Sequence, residues 1–222
     1  MPAACYSFTR MSKQAGFTLT ELLIVIAVVA LLAALAAPLF SNFVRNERIV
    51  AEANDLVASF HLARTEALKR NRRVTICKSS NADATTPACD GNARWEDGYI
   101  IFTDGNPTTS TAANAVFEPA PPDDEVLIKG QPRLAGQLTL RPRPADPTIT
   151  SYVSYVPRGL AREVVADGAD AQSGVLRLCD DRGLASVRVI ELSPTGRVRV
   201  LSGDDRDPER AKRAQDLAEA CP

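Results

Sequence analysis

The stretch that decides the fold is GFTLTE at positions 16–21, followed by LLIVIAVVALLAALAAPLF at positions 22–40. From Leu22 to Val44 the chain carries no charged residue over 23 positions. About 20 consecutive apolar residues allow a helix to cross the hydrocarbon core of a bilayer. A secretory signal peptide fits poorly, because no small-x-small cleavage site followed by polar sequence closes the run. The stretch therefore predicts a transmembrane helix.

The charges beside this helix indicate its orientation and a function. Arg10 and Lys13 precede it, as the positive-inside rule expects of the cytoplasmic side. Glu21 lies at the edge of the apolar run and has no basic partner in the segment. A charge at the bilayer centre costs roughly 2.5–3.5 kcal/mol on insertion scales, so we expect this acid to have a function.

The helix continues beyond the apolar run as an amphipathic helix. Apolar residues recur at a spacing of three to four from Val50 to Ala67, with charged residues between them. This pattern predicts one helix over 17–71, about 80 Å long at roughly 1.5 Å per residue. Residues 17–44 are its membrane or filament-core half, and residues 45–72 are its amphipathic half.

After Arg73 the hydrophobic period changes from 3.6 to 2, which predicts strands separated by Gly, Pro, Asn and Asp. The candidate strands are Arg73–Lys78, Gly98–Thr103, Glu125–Ile128, Gln137–Leu140, Tyr152–Val156, Val175–Leu178, Ser186–Leu192 and Arg197–Leu201. We expect an α+β fold, with one long amino-terminal helix packed on antiparallel β-sheet within residues 73–222.

The amino terminus resembles the class III leader of type IV pilins and pseudopilins, through Gly-Phe-Thr-Leu-x-Glu-Leu before an apolar helix. The resemblance implies that residues 1–16 are a leader, which prepilin peptidase removes by cutting between Gly16 and Phe17. It implies N-methylation of the new Phe17 amine. It also implies that Glu21 pairs with the Phe17 amine of a neighbouring subunit during assembly.

Three further segments are similar to the GspH/FimT family of pseudopilins and minor pilins, and the overall pattern is most like FimT proteins. They are ARTEALKRN at positions 63–71, VTICKS at positions 74–79 and WEDGYIIFTD at positions 95–104. The similarity weakens through the proline-rich middle of the chain and returns over 174–201. It implies the type IV pilin-like fold.

The cysteines are even in number once the leader is excluded. Cys5 belongs to the leader, which leaves Cys77, Cys89, Cys179 and Cys221 in the mature chain. In an oxidising compartment these four cysteines can form disulfide bonds. Four cysteines allow three pairings. The family resemblance implies the pairs Cys77–Cys89 and Cys179–Cys221, the second of which would attach the carboxy-terminal tail to a strand. A zinc site is disfavoured, because no Cys-x-x-Cys spacing occurs.

Composition and motifs disfavour catalysis. Lys and Arg number 26 against 27 for Asp and Glu, and there is a single histidine. The chain contains no Gly-x-Ser-x-Gly, Walker A or His-Glu-x-x-His motif. We expect no enzyme activity, no cofactor and no metal site.

A Gly-Arg-x-Arg pattern is the candidate binding motif. Pro194 and Gly196 suggest a tight turn, and alternation in the following strand places Arg197 and Arg199 on one outer face, about 6.7 Å apart. Two guanidinium groups beside an exposed Gly196 amide could bind neighbouring phosphates. The motif resembles the DNA-binding motif of FimT proteins, which capture DNA for natural transformation. Further basic residues in the tail would widen the patch: Arg206, Arg210, Lys212 and Arg213.

We therefore expect a minor type IV pilin that crosses the bacterial inner membrane once, with a periplasmic carboxy-terminal domain, and that joins or primes a pilus. We expect non-specific DNA binding through Gly196, Arg197 and Arg199. The alternative is the H-type pseudopilin of a type II secretion system, which is a structural subunit without DNA binding.

Overall fold

The computed structural model describes residues 16–105, 112–121, 124–164, 170–219 and 221, with backbone alone at 37–39. The predicted leader at 1–16 therefore lies outside the described residues, apart from its last position, Gly16. The chain divides into two compact units, Met1–Val44 and Arg45–Pro222.

Helix α1 spans Leu19–Arg70 and runs through the boundary between the two units. In the first unit its apolar side chains are exposed, with Leu23 and Ile26 both more than half accessible. Within the described residues, this is the one helix long and apolar enough to cross a membrane, and none of its apolar window is buried inside the protein. The prediction of a long helix with an apolar first half is confirmed.

The second unit contains eight described strands. They are β1 (Arg73–Lys78), β2 (Tyr99–Asp104), β3 (Leu127–Gln131), β4 (Thr139–Pro142), β5 (Tyr152–Tyr155), β6 (Gly174–Cys179), β7 (Arg188–Leu192) and β8 (Val198–Ser202). Each one overlaps a strand predicted from the sequence. Helix α2 (Pro208–Ala218) follows, and the side chain of Asp207 accepts a hydrogen bond from the Glu209 amide at its start.

The strands form two antiparallel sheets, and the predicted α+β fold of one long helix packed on antiparallel β-structure is confirmed. Sheet 1 has the order β3-β2-β1-β5, and sheet 2 has the order β4-β6-β7-β8. Pairings such as β1 with β5 join strands that are distant in sequence, and strand periodicity carries no information about such partners. The sequence pattern therefore predicted the strands but did not predict their division between two sheets.

One apolar core joins both sheets to the second half of α1. Phe60 and Ala63 of α1 are buried together with Ile76 of sheet 1 and with Leu176 and Ile190 of sheet 2. On the other face of sheet 2, α2 forms a smaller core, in which its alanines pack against residues of β7 and β8. Sheet 2 is thus covered on both faces, by the main core and by the tail helix.

Two disulfide bonds hold the loops and the tail. Cys77 bonds Cys89 across a sequence separation of 12, and Cys179 bonds Cys221 across a separation of 42. The second bond attaches the segment after α2 to the end of β6. The chain from Cys179 to Cys221, which contains α2, is therefore a covalently closed loop.

Candidate nucleic-acid interface

The residues of the amino-terminal motif lie at the start of α1. Thr18 caps the helix, because its side-chain oxygen accepts a hydrogen bond from the Glu21 amide at 3.2 Å. Phe17 is 79% exposed, and the Glu21 side chain is also exposed. Among the residues that the structure describes, Glu21 makes no ion pair. Gly16, Phe17 and Glu21 are therefore accessible to other molecules.

The Gly-Arg-x-Arg motif begins in a tight turn, which we call turn B (Ser193–Gly196). The Gly196 amide donates to the Ser193 carbonyl at 2.9 Å, and the Ser193 amide donates to the Arg197 carbonyl at 2.9 Å. Gly196 has φ +74°, a backbone conformation that residues with a Cβ rarely adopt. Pro194 supplies the fixed φ that the second position of such a turn favours.

The expectation of an exposed Gly196 amide is wrong. Gly196 is buried, and its amide is already bonded within turn B. A Cβ at this position would lie 2.2 Å from the Gly159 carbonyl oxygen. Gly196 therefore permits a close contact between two turns, and its amide is not free to bind a phosphate.

Arg197 and Arg199 differ in their surroundings. Val198 and Val200 pack against the main core, so alternation turns both arginines to the opposite side of β8. Within the described residues, the exposed Arg197 side chain makes no hydrogen bond or ion pair. Arg199 is also exposed, but its Nε lies 3.9 Å from Glu191 Oε2.

The tail residues are less available than the sequence suggested. Arg213 lies 3.2 Å from Glu191, and Arg210 lies 3.4 Å from Asp205. Arg206 and Lys212 are exposed. The predicted widening of the basic patch toward the tail is therefore opposed by the carboxylates that bind two of its four cations.

A second turn, not singled out from the sequence, lies against turn B, and we call it turn A (Val156–Gly159). Its Gly159 amide donates to the Val156 carbonyl at 2.8 Å, and Gly159 has φ +73°. Arg158 is exposed, and its side chain makes no hydrogen bond or ion pair within the described chain. The sequence did contain a signal, because Pro157-Arg158-Gly159 repeats the Pro-x-Gly spacing of turn B.

Two arginines outside the turns, Arg64 and Arg162, donate hydrogen bonds to backbone carbonyls of the turns. Arg64 of α1 donates from Nε to the Gly159 carbonyl at 2.9 Å and from Nη2 to the Thr195 carbonyl at 3.4 Å. Arg162 donates from Nη1 to the Pro194 carbonyl at 3.3 Å. Both cations stand beside the two turns, where they add to the positive potential.

Two acidic residues of the β2–β3 region, Asp104 and Glu125, accept hydrogen bonds from neighbouring groups of the fold. Asp104 accepts hydrogen bonds from the Thr75 hydroxyl at 2.5 Å and from the Asn114 amide at 3.0 Å. Glu125 accepts from the Gly105 amide at 2.7 Å and from the Glu118 amide at 2.8 Å. Burial raises the pKa of Asp104, and it raises the pKa of Glu125 to about 7. No group of three metal-binding side chains occurs among the described residues.

An apolar amino-terminal helix that continues into a core between antiparallel sheets, with a Gly-Phe-Thr-Leu-x-Glu motif before it, defines a type IV pilin-like protein. The sequence matches the family model described as Type II transport protein GspH over residues 52–196, and the prokaryotic N-terminal methylation motif over residues 11–37. The chain belongs to the GspH family.

Curated relatives are similar over part of their length. The chain is 31% identical over 93 residues to the type IV major fimbrial protein FimA of Dichelobacter nodosus, which is 42% of this chain and 55% of that protein. It is 34% identical over 83 residues to the prepilin peptidase-dependent protein D of Escherichia coli K12, which is 37% of this chain and 48% of that protein. The chain thus spans about half the length of the curated relatives it matches.

Among solved structures, the type IV minor pilin FimU of Pseudomonas aeruginosa is similar at a TM-score of 0.47 and 16% identity. The match covers 73% of this chain and 95% of FimU. A second crystal form of FimU gives a TM-score of 0.42.

Proposed function

We propose that the protein is a minor pilin that assembles with other pilins, and that it is a structural and binding subunit with no enzymatic activity. Prepilin peptidase cuts between Gly16 and Phe17, and the Phe17 amine is methylated. The apolar half of α1 anchors the chain in the inner membrane, with the second unit in the periplasm. The exposed Glu21, which lacks an ion pair among the described residues, supports pairing with the amine of a neighbouring subunit.

We also propose that the second unit binds DNA without sequence preference. The observation that carries this proposal is the contact between turns A and B. Arg158 lies in turn A and Arg197 directly follows turn B, and neither side chain has a partner in the described chain. Guanidinium groups suit phosphate oxygens because their planar fork donates two hydrogen bonds at once. Arg199 adds a third cation on the neighbouring strand, and the DNA so captured would serve uptake in natural transformation.

The overall charge of the protein requires such local placement. Without residues 1–16 the chain keeps 24 basic and 27 acidic side chains. Bulk attraction to a polyanion is therefore absent, and affinity must come from a few phosphate contacts. Each contact contributes a slope of about −0.9 for duplex or about −0.7 for single-stranded DNA in a plot of log affinity against log salt.

The test measures DNA affinity of the full chain in non-ionic detergent micelles, by fluorescence anisotropy of labelled oligonucleotides between 50 and 300 mM salt, roughly the range over which phosphate contacts are lost. The variant is Arg197→Gln with Arg199→Gln. We expect the duplex salt slope to fall by about 1.8 and affinity at 0.1 M salt to fall roughly 60-fold. Unchanged affinity and slope would refute DNA binding at this site.

A matched control removes two arginines that lie next to strands β2 and β3 of sheet 1. Arg94 and Arg133 are exposed, and Arg133 pairs with Asp97 at 3.3 Å. Arg94→Gln with Arg133→Gln makes the same change in net charge. An equal loss of affinity in this control would show that the effect comes from overall charge rather than from Arg197 and Arg199.

The second candidate function is that of a type II secretion pseudopilin without DNA binding, and the description of the matching family model favours it. The two candidates differ in DNA affinity and in genetic requirement. A deletion strain that loses transformation but keeps secretion supports the pilin, whereas the opposite phenotype supports the pseudopilin.

A further inference from the structure

Within the part of the chain that the structure describes, Arg64 is the one side chain of α1 that donates hydrogen bonds to both turns of the proposed DNA site. Its Nε donates to Gly159 of turn A, and its Nη2 donates to Thr195 of turn B. Both acceptors are backbone carbonyls, so these bonds fix the path of the chain and not one side-chain conformation. The guanidinium group therefore connects three separate segments.

The backbones of the two turns are in direct contact beside this guanidinium group. A Cβ at Gly196 would lie 2.2 Å from the Gly159 carbonyl oxygen, and a Cβ at Gly159 would lie 3.1 Å from Arg64 Nε. A side chain at Gly196 would therefore force one of the two turns to move. The close backbone contact and the two hydrogen bonds of Arg64 together hold the turns side by side.

This geometry sets the separation of the two free arginines. Arg158 precedes Gly159 by one residue, and Arg197 follows Gly196 by one residue. With roughly 3.8 Å between successive Cα atoms, the Cα atoms of the two arginines lie at most about 14 Å apart. Phosphates on one DNA strand follow one another at about 3.4 Å along the helix axis, so both arginines can reach the same short backbone segment.

We propose that Arg64 is a positioning residue, which holds turns A and B together so that Arg158 and Arg197 act as one phosphate-binding surface. This inference rests on the proposed DNA binding. Arg64 itself does not contact DNA in this arrangement, because its fork is directed at the Gly159 and Thr195 carbonyls. The effect of Arg64 on affinity comes from the reduced freedom of the two turns before DNA binds.

The experiment compares Arg64→Lys with Arg64→Gln in the full chain in detergent micelles. Lysine keeps the charge but lacks the planar fork that bonds two carbonyls at once, whereas glutamine loses both. The first readout is amide hydrogen exchange at Gly159 and Gly196, and the second is DNA affinity with its salt slope. Arg45→Lys is the control, because Arg45 is an α1 arginine whose guanidinium contacts Asp181 and neither turn.

We expect both Arg64 variants to raise exchange at both glycines about tenfold and to lower DNA affinity about five- to tenfold at a nearly unchanged salt slope. Unchanged exchange would overturn the inference, because the turns would not depend on Arg64. Raised exchange with unchanged affinity would show a structural role alone. Normal affinity in Arg64→Lys with a reduced slope in Arg64→Gln would make Arg64 a direct phosphate contact instead.

Failure of the proposed function would look different from each of these outcomes. If the Arg197 and Arg199 double variant binds DNA as the parent does, the DNA site itself is wrong, whatever the exchange data show. If that variant loses binding while Arg64→Lys keeps both affinity and slow exchange, DNA binding stands and only the positioning role is rejected.

Discussion

Glu191 is the residue whose neutralisation should strengthen the proposed DNA binding. It lies on β7 opposite Arg199 of β8, and it also contacts Arg213 of α2. Both arginines are more than half exposed, while the carboxylate between them is largely covered. The substitution Glu191→Gln keeps the size of the side chain and removes the charge that holds the two cations.

The size of the effect follows from the number of cations released. One additional phosphate contact steepens the salt slope by about 0.7 for single strands and about 0.9 for duplex. At 0.1 M salt this corresponds to roughly five- to eightfold higher affinity for each contact. Arg213, at 3.2 Å from the carboxylate, is the more firmly held cation, and Arg199 at 3.9 Å is already partly available. Because Arg199 already counts as a phosphate contact of the parent protein, we expect a gain of about one contact, from Arg213.

The assay is the anisotropy titration of labelled oligonucleotides across salt concentrations, with the thermal midpoint measured in parallel. Exposed ion pairs contribute about 0–1 kcal/mol, so the melting temperature should change little. The control is Asp181→Asn, which removes one negative charge by breaking the exposed pair with Arg45. Asp181 lies in the β6–β7 connection, at the opposite end of β7 from turn B.

Two results would refute this reasoning. If Glu191→Gln leaves both affinity and salt slope unchanged, the released Arg213 does not reach the bound DNA. If Asp181→Asn raises affinity as much as Glu191→Gln does, the gain comes from net charge and not from release of local cations.

The remaining predictions concern stability. Replacing Cys179 and Cys221 by alanine should cost about 4 kcal/mol, and replacing Cys77 and Cys89 about 3 kcal/mol, since the entropy of the unfolded chain rises with the length of the opened loop; a larger loss for the shorter loop in urea unfolding would contradict this. Burial raises the pKa of Glu125 to about 7, so the folded chain keeps a proton that the unfolded chain releases near its ordinary value of 4.5. Stability should therefore fall as pH rises from about 4.5 to 7, and Glu125→Gln should flatten the melting temperature over that range; an identical pH profile in both proteins would refute the assignment.

Much of the fold could be predicted from the sequence because its signals are local. A 3.6-residue period marks α1, a two-residue period marks the strands, and Asp207 followed by Pro208 marks the start of α2. The division into two sheets could not be predicted, because it depends on pairings such as that of β4 with β6, which the alternation of apolar residues does not encode.

The candidate site was predicted in part for the same reason. Arg197 and Arg199 stand out because their motif is contiguous, whereas Arg158 reaches the site only through a tertiary contact between turns. Glu191 is likewise distant from Arg213 in sequence but adjacent to it in the fold. The basic residues of the sequence alone therefore overestimate the contribution of the tail to the proposed site and omit that of turn A.

If the proposed DNA binding holds, the positions of the acids decide where it can occur on a chain with no net positive charge. Asp205 and Glu191 lie beside tail arginines, so a phosphate approaching there meets cations that already have carboxylate partners. At turns A and B, by contrast, the cations bond backbone carbonyls or make no contact within the described residues. Carbonyl oxygens neutralise no charge, so the positive potential of these arginines remains available to phosphates. In the parent protein the proposed binding surface should consequently extend from turn B toward turn A and Arg64, and Arg213 of α2 should join it only when Glu191 is neutralised.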